Sequence, residues 1–277
     1  MRDGKKTAGG AWGSKLLIRG RVSRAGKIIL GVIPILVILG GWSLLTMGEA
    51  EARVISPLIL PSPWEVVKSF PSLWFDAELS RSIIASAWRV ILGFGAAAIL
   101  AFPLGIAMGA FGKVRALFEP LSVFSSYLPI PALVPLTMSL FGIGELQKVM
   151  FLGLAFFIYL LPLFLKSVDG VDNVYLQTAY TLGATQWQSV KHVLLAVSLP
   201  GILHAMRLGF GIGWTYIILA EMVAADRGLG QIIIIAQRRG PREHIYLVLL
   251  VIVVIAYLTD RLWVRLSKAL FPYLEAK

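Results

Sequence analysis

The sequence has no cysteine, only 3 histidines in 277 residues, and 15 acidic residues against 26 Lys and Arg. Without thiols there are no disulfides, thiolate metal sites or cysteine nucleophiles, and the redox compartment stays open. His192 and His204 stand isolated, so no metal ligand set and no bound cofactor is expected. Charged residues make up 15% of the chain, and no His, Asp and Glu cluster falls within an apolar run, as a membrane-embedded enzyme would need. A phosphate-binding loop is missing too. Its nearest approach, GIAMGAFGKV, has Ala107 at the required first glycine and Val114 at the required Ser or Thr, and lies at a helix end rather than after a strand. The chain is therefore not expected to hydrolyse ATP, nor to be an enzyme. No internal repeat is visible, which weighs against the rival reading, an autonomous ion-coupled secondary transporter built from inverted repeats.

What is present is apolar. Hydrophobic residues reach 57% and the mean hydropathy is +0.80, too high for a water-facing surface around one core, so the lipid bilayer is the expected solvent. The apolar runs are unbroken rather than alternating, which selects helices over a barrel. The expected fold class is all-α: a polytopic membrane bundle of about six spans, near 28–47, 83–111, 120–141, 147–166, 199–222 and 245–264. The first run is longer than the ~7–15-residue core of a signal peptide and reads as an uncleaved span. Residues 1–27 form a basic tail and 28–277 one membrane domain.

The net charge of +11 invites a nucleic-acid reading, but its distribution speaks for a membrane. Eight cations (Arg2, Lys5, Lys6, Lys15, Arg19, Arg21, Arg24 and Lys27) precede the first apolar run. With both termini cytoplasmic, sixteen Lys and Arg fall on cytoplasmic segments and nine outside or in the outer half of a span, with Arg207 inside the fifth. This is the asymmetry of an inner-membrane protein. The four arginines Arg227, Arg238, Arg239 and Arg242 of the last external loop run against it.

Between the first two spans, SPLILPSPWEVVKSFPSLWFD sets Trp64, Val67, Phe70 and Trp74 on one side of a helix suited to the lipid interface. The second span carries Gly93, Gly95 and a Gly105–Gly109 GxxxG pair, which let another backbone approach closely. Pro129, Pro131 and Pro135 break the third span. Unpaired carbonyls at such a break need protein or water, so Pro129 and Pro131 are candidates to line a pathway.

The most informative stretch is the polar interruption from Val168 to Gly201. One helix is expected from about Asn173 to Leu182, ended by Gly183, and a second from about Thr185 with Trp187, Val190, Val193, Leu194 and Val197 on one face. Physical pattern alone leaves two readings: a helix resting on lipid, or a surface made for a partner.

QTAYTLGATQWQSVKHVLLAVSLP resembles the EAA loop of binding-protein-dependent ABC importer permeases. Ala179 takes the third place of the Glu-Ala-Ala triplet, Gly183 the glycine and Val193 the isoleucine. Gln177 stands for the glutamate, Thr178 for the first alanine and Ala196 for the first proline, with Pro200 keeping the second. From about Ile55 to Phe271 the order of SAWRVILGFGAA, LPIPALVPL, FGIGE and MRLGFGIGWTYIILAEMVAADRGLG is similar to the permeases for nitrate, sulfonates and taurine. The resemblance implies a type I ABC importer (MetI-like) permease fold and a homodimer. It also implies separate ATPase subunits, an external solute-binding protein and a small anionic solute. It makes Gln177, Ala179, Gly183, Ala184, Thr185, Val193 and Pro200 a coupling loop docked on the ATPase.

Charges inside apolar segments are costly and need partners. Arg89 is expected to snorkel to the outer interface, Arg207 to snorkel or to make a contact beside the loop, and Glu221 to pair with Arg89 or an external arginine. Glu221 with Arg238, Arg239 and Arg242 marks a candidate outer mouth. Those arginines either attract an anion, meet a binding protein, or are simply solvated.

Overall fold

Long unbroken runs of Leu, Ile, Val and Ala make helices that bury their own backbone hydrogen bonds, which a bilayer demands. The computed structural model describes residues 23–49, 51 and 53–275. The basic tail expected at 1–27 lies mostly outside them. Five helices are long and apolar enough to cross a membrane, or six if one bent pair counts as a span, and no strand occurs among the described residues.

Contacts divide the chain into Met1–Pro63 and Trp64–Lys277. In the first unit α1 (Arg24–Leu45) starts at Ser23, whose hydroxyl accepts the Gly26 N–H at 3.1 Å. Near its end Trp42 donates its indole N–H to the Pro61 carbonyl at 2.8 Å.

The second unit begins with two short helices, α2 (Pro63–Lys68) and α3 (Phe70–Phe75), where one interfacial helix was expected. Trp64, Val67, Phe70 and Trp74 are all exposed. The Lys68 ammonium lies 5.3 Å from the Trp64 ring centroid, an amphipathic arrangement suited to a headgroup region. Then come α4 (Leu79–Ala110), α5 (Gly112–Ser126), α6 (Leu133–Phe141) and α7 (Glu145–Asp169).

The core lies where α7 packs against α4 and against the long helix after the polar loop. Glycines set the approach: a Cβ on Gly93 would lie 2.6 Å from the Leu152 Cβ and one on Gly105 2.8 Å from the Phe164 Cβ, while one on Gly109 would strike the Val168 side chain. The GxxxG pair is thus a packing seam against α7. Phe94 fills the space above it, edge-on to Phe156 at 5.3 Å and Phe210 at 5.1 Å.

The span expected at 120–141 is not one kinked helix. α5 and the segment Ile130–Phe141 meet at 92°. Pro129 and Pro131 disfavour helical geometry in the residues before them and remove two donors, so the helix ends at Ser126. Pro135 is tolerated because it sits in the first turn of α6, whose N–H groups need no intrahelical acceptor.

Past the polar loop, a helix runs without interruption from Gln186 to Val223, 38 residues. The fifth span, expected to begin near 199, is therefore fused to the loop's second helix. The expected external loop is also a helix, α11 (Leu229–Arg239), followed by α12 (Arg242–Leu270). Its buried Leu229, Ile232, Ile233 and Ala236 recur at helical spacing, but its 11 residues are too few to cross a bilayer.

Candidate functional site

Two regions concentrate the polar groups, one at each end of the bundle. In the loop, Asp172 caps α8 (Asn173–Thr181) by accepting the Val174 N–H at 3.0 Å. Gly183 ends it with φ +82°, a conformation that a β-carbon resists. The Ala184 N–H donates to the Ala179 carbonyl and the Gly183 N–H to the Tyr180 carbonyl, each at 3.0 Å, the paired bonds of a Schellman ending. Two residues later Thr185 caps α9 (Gln186–Gln188): its hydroxyl accepts the Gln188 N–H at 3.3 Å and its own N–H donates to the Gln188 side chain at 2.8 Å. The elbow is therefore fixed from both sides by local hydrogen bonds.

After α9 a π-helical turn, Ser189–Leu194, leads into α10 (Leu195–Ala224). The wider turn shifts the helix register and moves the packed face. Trp187 and Val197, expected on that face, are exposed, while Ser189, Leu194 and Ser198 are buried. Val193 is half-buried, as is Pro200 inside α10. Ala179 is buried under the elbow, and Gln177 points outward. Leu182, at the tip, is 82% exposed, and Val174, Tyr175, Tyr180 and Trp187 share its exposure. The tip of this polar loop is thus an exposed apolar patch. A cavity of about 270 Å³ lies between this loop and the α4–α5 turn, lined by Phe111, Lys113, Tyr180, Gln186 and Val190 among others. Arg115 braces that turn, pairing with Glu119 at 2.9 Å and with Asp169, at the end of α7, at 3.0 Å.

At the other end, Arg89 does not snorkel. It is 3% exposed, and four of its five N–H donors are taken up from within. Its Nη1 donates to Glu221 Oε1 at 2.6 Å and to the Arg227 carbonyl at 2.7 Å; its Nε and Nη2 grip the Glu145 carboxylate at 2.6 and 2.7 Å. Glu221 is 0% exposed and also accepts from the Ser86 hydroxyl at 2.7 Å and the Gly230 N–H at 2.9 Å. The Ser86 oxygen in turn accepts the Leu229 N–H at 3.0 Å. Buried Lys148 joins from α7, its ammonium 3.2 Å from Glu145. Two cations and two carboxylates thus balance, and they bolt α4, α7, α10 and the start of α11 together.

The glycines of the RGLG turn serve this cluster. A Cβ on Gly228 would run into the Glu221 carboxylate, and one on Gly230 would lie 2.6 Å from the Ile218 carbonyl. Sequence reasoning missed Ser86, Glu145 and Lys148. The available signal was the rule that an intramembrane charge needs a partner, together with the three-residue step from Glu145 to Lys148. Arg207 also has a specific partner: its Nε and Nη2 reach Asp260 of α12 at 2.5 and 2.9 Å.

A cavity of about 390 Å³ opens beside the cluster, lined by Asp76, Glu78, Asp226, Arg227, Arg239 and His244 among others. Arg239 reaches it from the last turn of α11; Arg238, on the same turn, and Arg242, which begins α12, are not among its lining residues. Pro129 and Pro131 are exposed at the α5–α6 break and likewise do not line it. Three of the named lining residues are acidic, Asp76, Glu78 and Asp226, against Arg227 and Arg239, so the cavity is no purely basic funnel.

Residues 101–271 match the family described as "Binding-protein-dependent transport system inner membrane component". The taurine transport system permease protein TauC of Escherichia coli (strain K12) is 33% identical over 94% of both chains. A putative aliphatic sulfonates transport permease protein, SsuC of Bacillus subtilis (strain 168), is 29% identical over 75% of both. The nitrate import permease protein NrtB of Synechocystis sp. is 26% identical over 89% of this chain and 90% of its own length. Among solved structures, a chain of the MetNI methionine ABC transporter in an inward facing conformation superposes with a TM-score of 0.64. The two share 20% identity over 72% of this chain and 97% of that one.

Proposed function

Because the chain belongs to the binding-protein-dependent transport system inner membrane component family, we propose that it forms, as a homodimer, the translocation pathway of an importer whose power comes from separate ATPase subunits docked on the 168–198 loop. An external solute-binding protein delivers the solute. The solute class is a small anion, a sulfonate, taurine or nitrate, following the relatives' names and the arginines at the candidate outer mouth.

One observation carries the coupling reading. The exposed elbow at Gly183 is joined to a single continuous helix of 38 residues that reaches the buried charge cluster. At 1.5 Å per residue this rod is roughly 57 Å long, about twice the hydrocarbon thickness, so a push at Leu182 is delivered across the whole bilayer. Thr185 and Gln188 keep the start of the rod from fraying, and Gly209 and Gly213 of α10 receive the Leu160 and Phe156 side chains of α7, which ties the rod closely to that helix. Gln177 offers a neutral amide where an ion pair is usual in the family, so apolar contact at Leu182 and Trp187 supplies more of the docking. ATP is hydrolysed in the partner subunits, and this chain makes and breaks no covalent bond.

The absence of native cysteine makes a direct test available. Leu182→Cys, co-expressed with the cognate ATPase carrying single cysteines around its permease-facing groove, gives a disulfide-linked pair that depends on the groove position. Absence of any link, with both proteins present in one complex, contradicts loop docking.

A further inference from the structure

Two phenols meet deep in the groove between α7 and α10. The Tyr159 and Tyr216 hydroxyls lie 3.1 Å apart, and both side chains are half-buried. One phenol donates to the other, so one O–H is left over, and it has no acceptor among the described residues. Beside them the Thr215 hydroxyl is exposed and engages nothing among the described residues. It does not even take the carbonyl one turn back, as Thr137, Thr178 and Thr259 do. Tyr159 stands roughly 21 Å from the Glu145 end of α7 and roughly 15 Å from its Asp169 end, and Thr215 roughly 14 Å from the Ala224 end of α10. A hydrocarbon layer is about 30 Å thick, so these hydroxyls stand within it, where a donor without an acceptor is strongly disfavoured.

The face that carries them differs from the other outward faces of the bundle. Between Ile202 and Leu219 the exposed residues of α10 are His204, Leu208, Gly211 and Thr215, at steps of four, three and four, so they form one stripe with a single large apolar side chain. A Cβ on Gly211 would meet nothing within 4 Å. By contrast, α4 exposes Ile84, Ile91 and Ile99, and α12 exposes Leu250, Val253 and Val254, side chains that acyl chains solvate. No carboxylate stands at the level of the hydroxyls: α7 has none between Glu145 and Asp169, and α10 none before Glu221, which is buried and engaged. Arg207, the cation of α10, is held by Asp260. Water and small oxyanions bring acceptors to such donors, and lipid tails bring none. With no carboxylate to repel an anion and no unpaired cation to trap it, the level suits entry and release alike.

We infer that Tyr159, Tyr216 and Thr215 form a hydroxyl band in the solute path, donating hydrogen bonds to a passing sulfonate or similar small oxyanion. The band deepens the transport reading and rests on it.

The test is thiol labelling of the chain with its ATPase subunits in nanodiscs, where both membrane faces are open to reagent. The sequence has no native cysteine, so Thr215→Cys reports alone, and Ile99→Cys on the apolar face of α4 is the control. The probes are sulfonatoethyl methanethiosulfonate, itself a small sulfonate, and its trimethylammonium counterpart, each rate being divided by that of a free thiol in water. Such reagents attack the thiolate, which needs water, so Thr215→Cys should react about tenfold or more faster than Ile99→Cys. It should also favour the sulfonate reagent. Adding Y159F/Y216F should cut that preference about three- to tenfold, the worth of a lost hydrogen bond. The ammonium reagent should still separate Thr215→Cys from Ile99→Cys in that variant, which shows the path and the fold to be intact. Equal labelling of the two cysteines would overturn the proposal, and so would a sulfonate preference unchanged by Y159F/Y216F. A spontaneous disulfide between two copies of Thr215→Cys that shuts out both reagents would do the same, because the stripe would then be a helix seam. Each of these outcomes leaves ATP-driven uptake by the wild-type complex standing, whereas uptake without ATPase subunits sinks the transport reading itself.

Discussion

Replacing Glu221 with Ala should be among the most damaging single changes in the membrane domain. The carboxylate is fully buried and accepts hydrogen bonds from Arg89, Ser86 and Gly230. Truncation leaves the Arg89 guanidinium with the Arg227 carbonyl and Glu145, and because Glu145 is 63% exposed the guanidinium's one remaining countercharge is a solvated group. Breaking a buried pair by removing one member costs about 3–5 kcal/mol, because the remaining charge stays desolvated. At roughly 2–4 °C per kcal/mol for a domain of this size, E221A should melt about 6–20 °C below wild type in detergent. The apolar double variant R89M/E221L should recover much of that loss, since neither desolvated charge remains. E221Q should fall between, because it preserves shape and the Ser86 contact. The assay is thermal unfolding of the purified chain followed by intrinsic tryptophan fluorescence, arranged as a double-mutant cycle. If E221A and R89M each shift the midpoint by under ~2 °C, or if their effects simply add, the cluster does not bolt the helices together and the reasoning fails.

Other expected outcomes follow from the same geometry. D260N should cost under about 1 kcal/mol, since Arg207 and Asp260 are both partly exposed and such pairs are weak; a loss as large as that of E221A would show α12 to be held chiefly by this pair. Gly109→Val should disrupt the α4–α7 seam and lower recovery of folded protein, whereas Gly95→Val, with open space where its β-carbon would go, should be nearly silent. Gly183→Val should leave membrane insertion and thermal midpoint close to wild type while abolishing solute-stimulated ATPase activity in the assembled complex; insertion assayed by protease protection separates the two effects. Thr185→Ala removes one half of the capping box and should cost about 1 kcal/mol locally, read as faster amide exchange at Gln186 and Gln188.

Much of this architecture is written in single residues. Apolar run length located four of the long helices to within a few residues, because the bilayer sets one scale that each span must meet, but it set the start of the fifth near 199 where the helix begins at Gln186, and it read as one span the two helices that meet at 92°. Gly105 and Gly109 announced a close helix contact, and Gly183 announced the end of α8, since each position needs the missing β-carbon. Pro129 and Pro131 marked a break but not its angle, which depends on how α6 packs on α7. The π turn at Ser189–Leu194 left no local signature, and it rotated Trp187 away from the expected face. The Arg89 cluster was half legible: Glu221 and Arg89 are 132 residues apart, and the Glu145 and Lys148 contributions arise only once α7 is placed beside α4. In α11 the signal was present in Leu229, Ile232, Ile233 and Ala236, but arginines at its end made it resemble a solvated loop.

The central claim is that this chain moves solute only when an ATPase drives its 168–198 loop. The direct measurement is solute uptake by proteoliposomes holding the chain with its ATPase subunits and binding protein, with ATP or an imposed ion gradient as the sole energy source. The account predicts ATP-dependent uptake that vanishes with Gly183→Val and no uptake from the gradient alone. Gradient-driven uptake by the chain without ATPase subunits would contradict it.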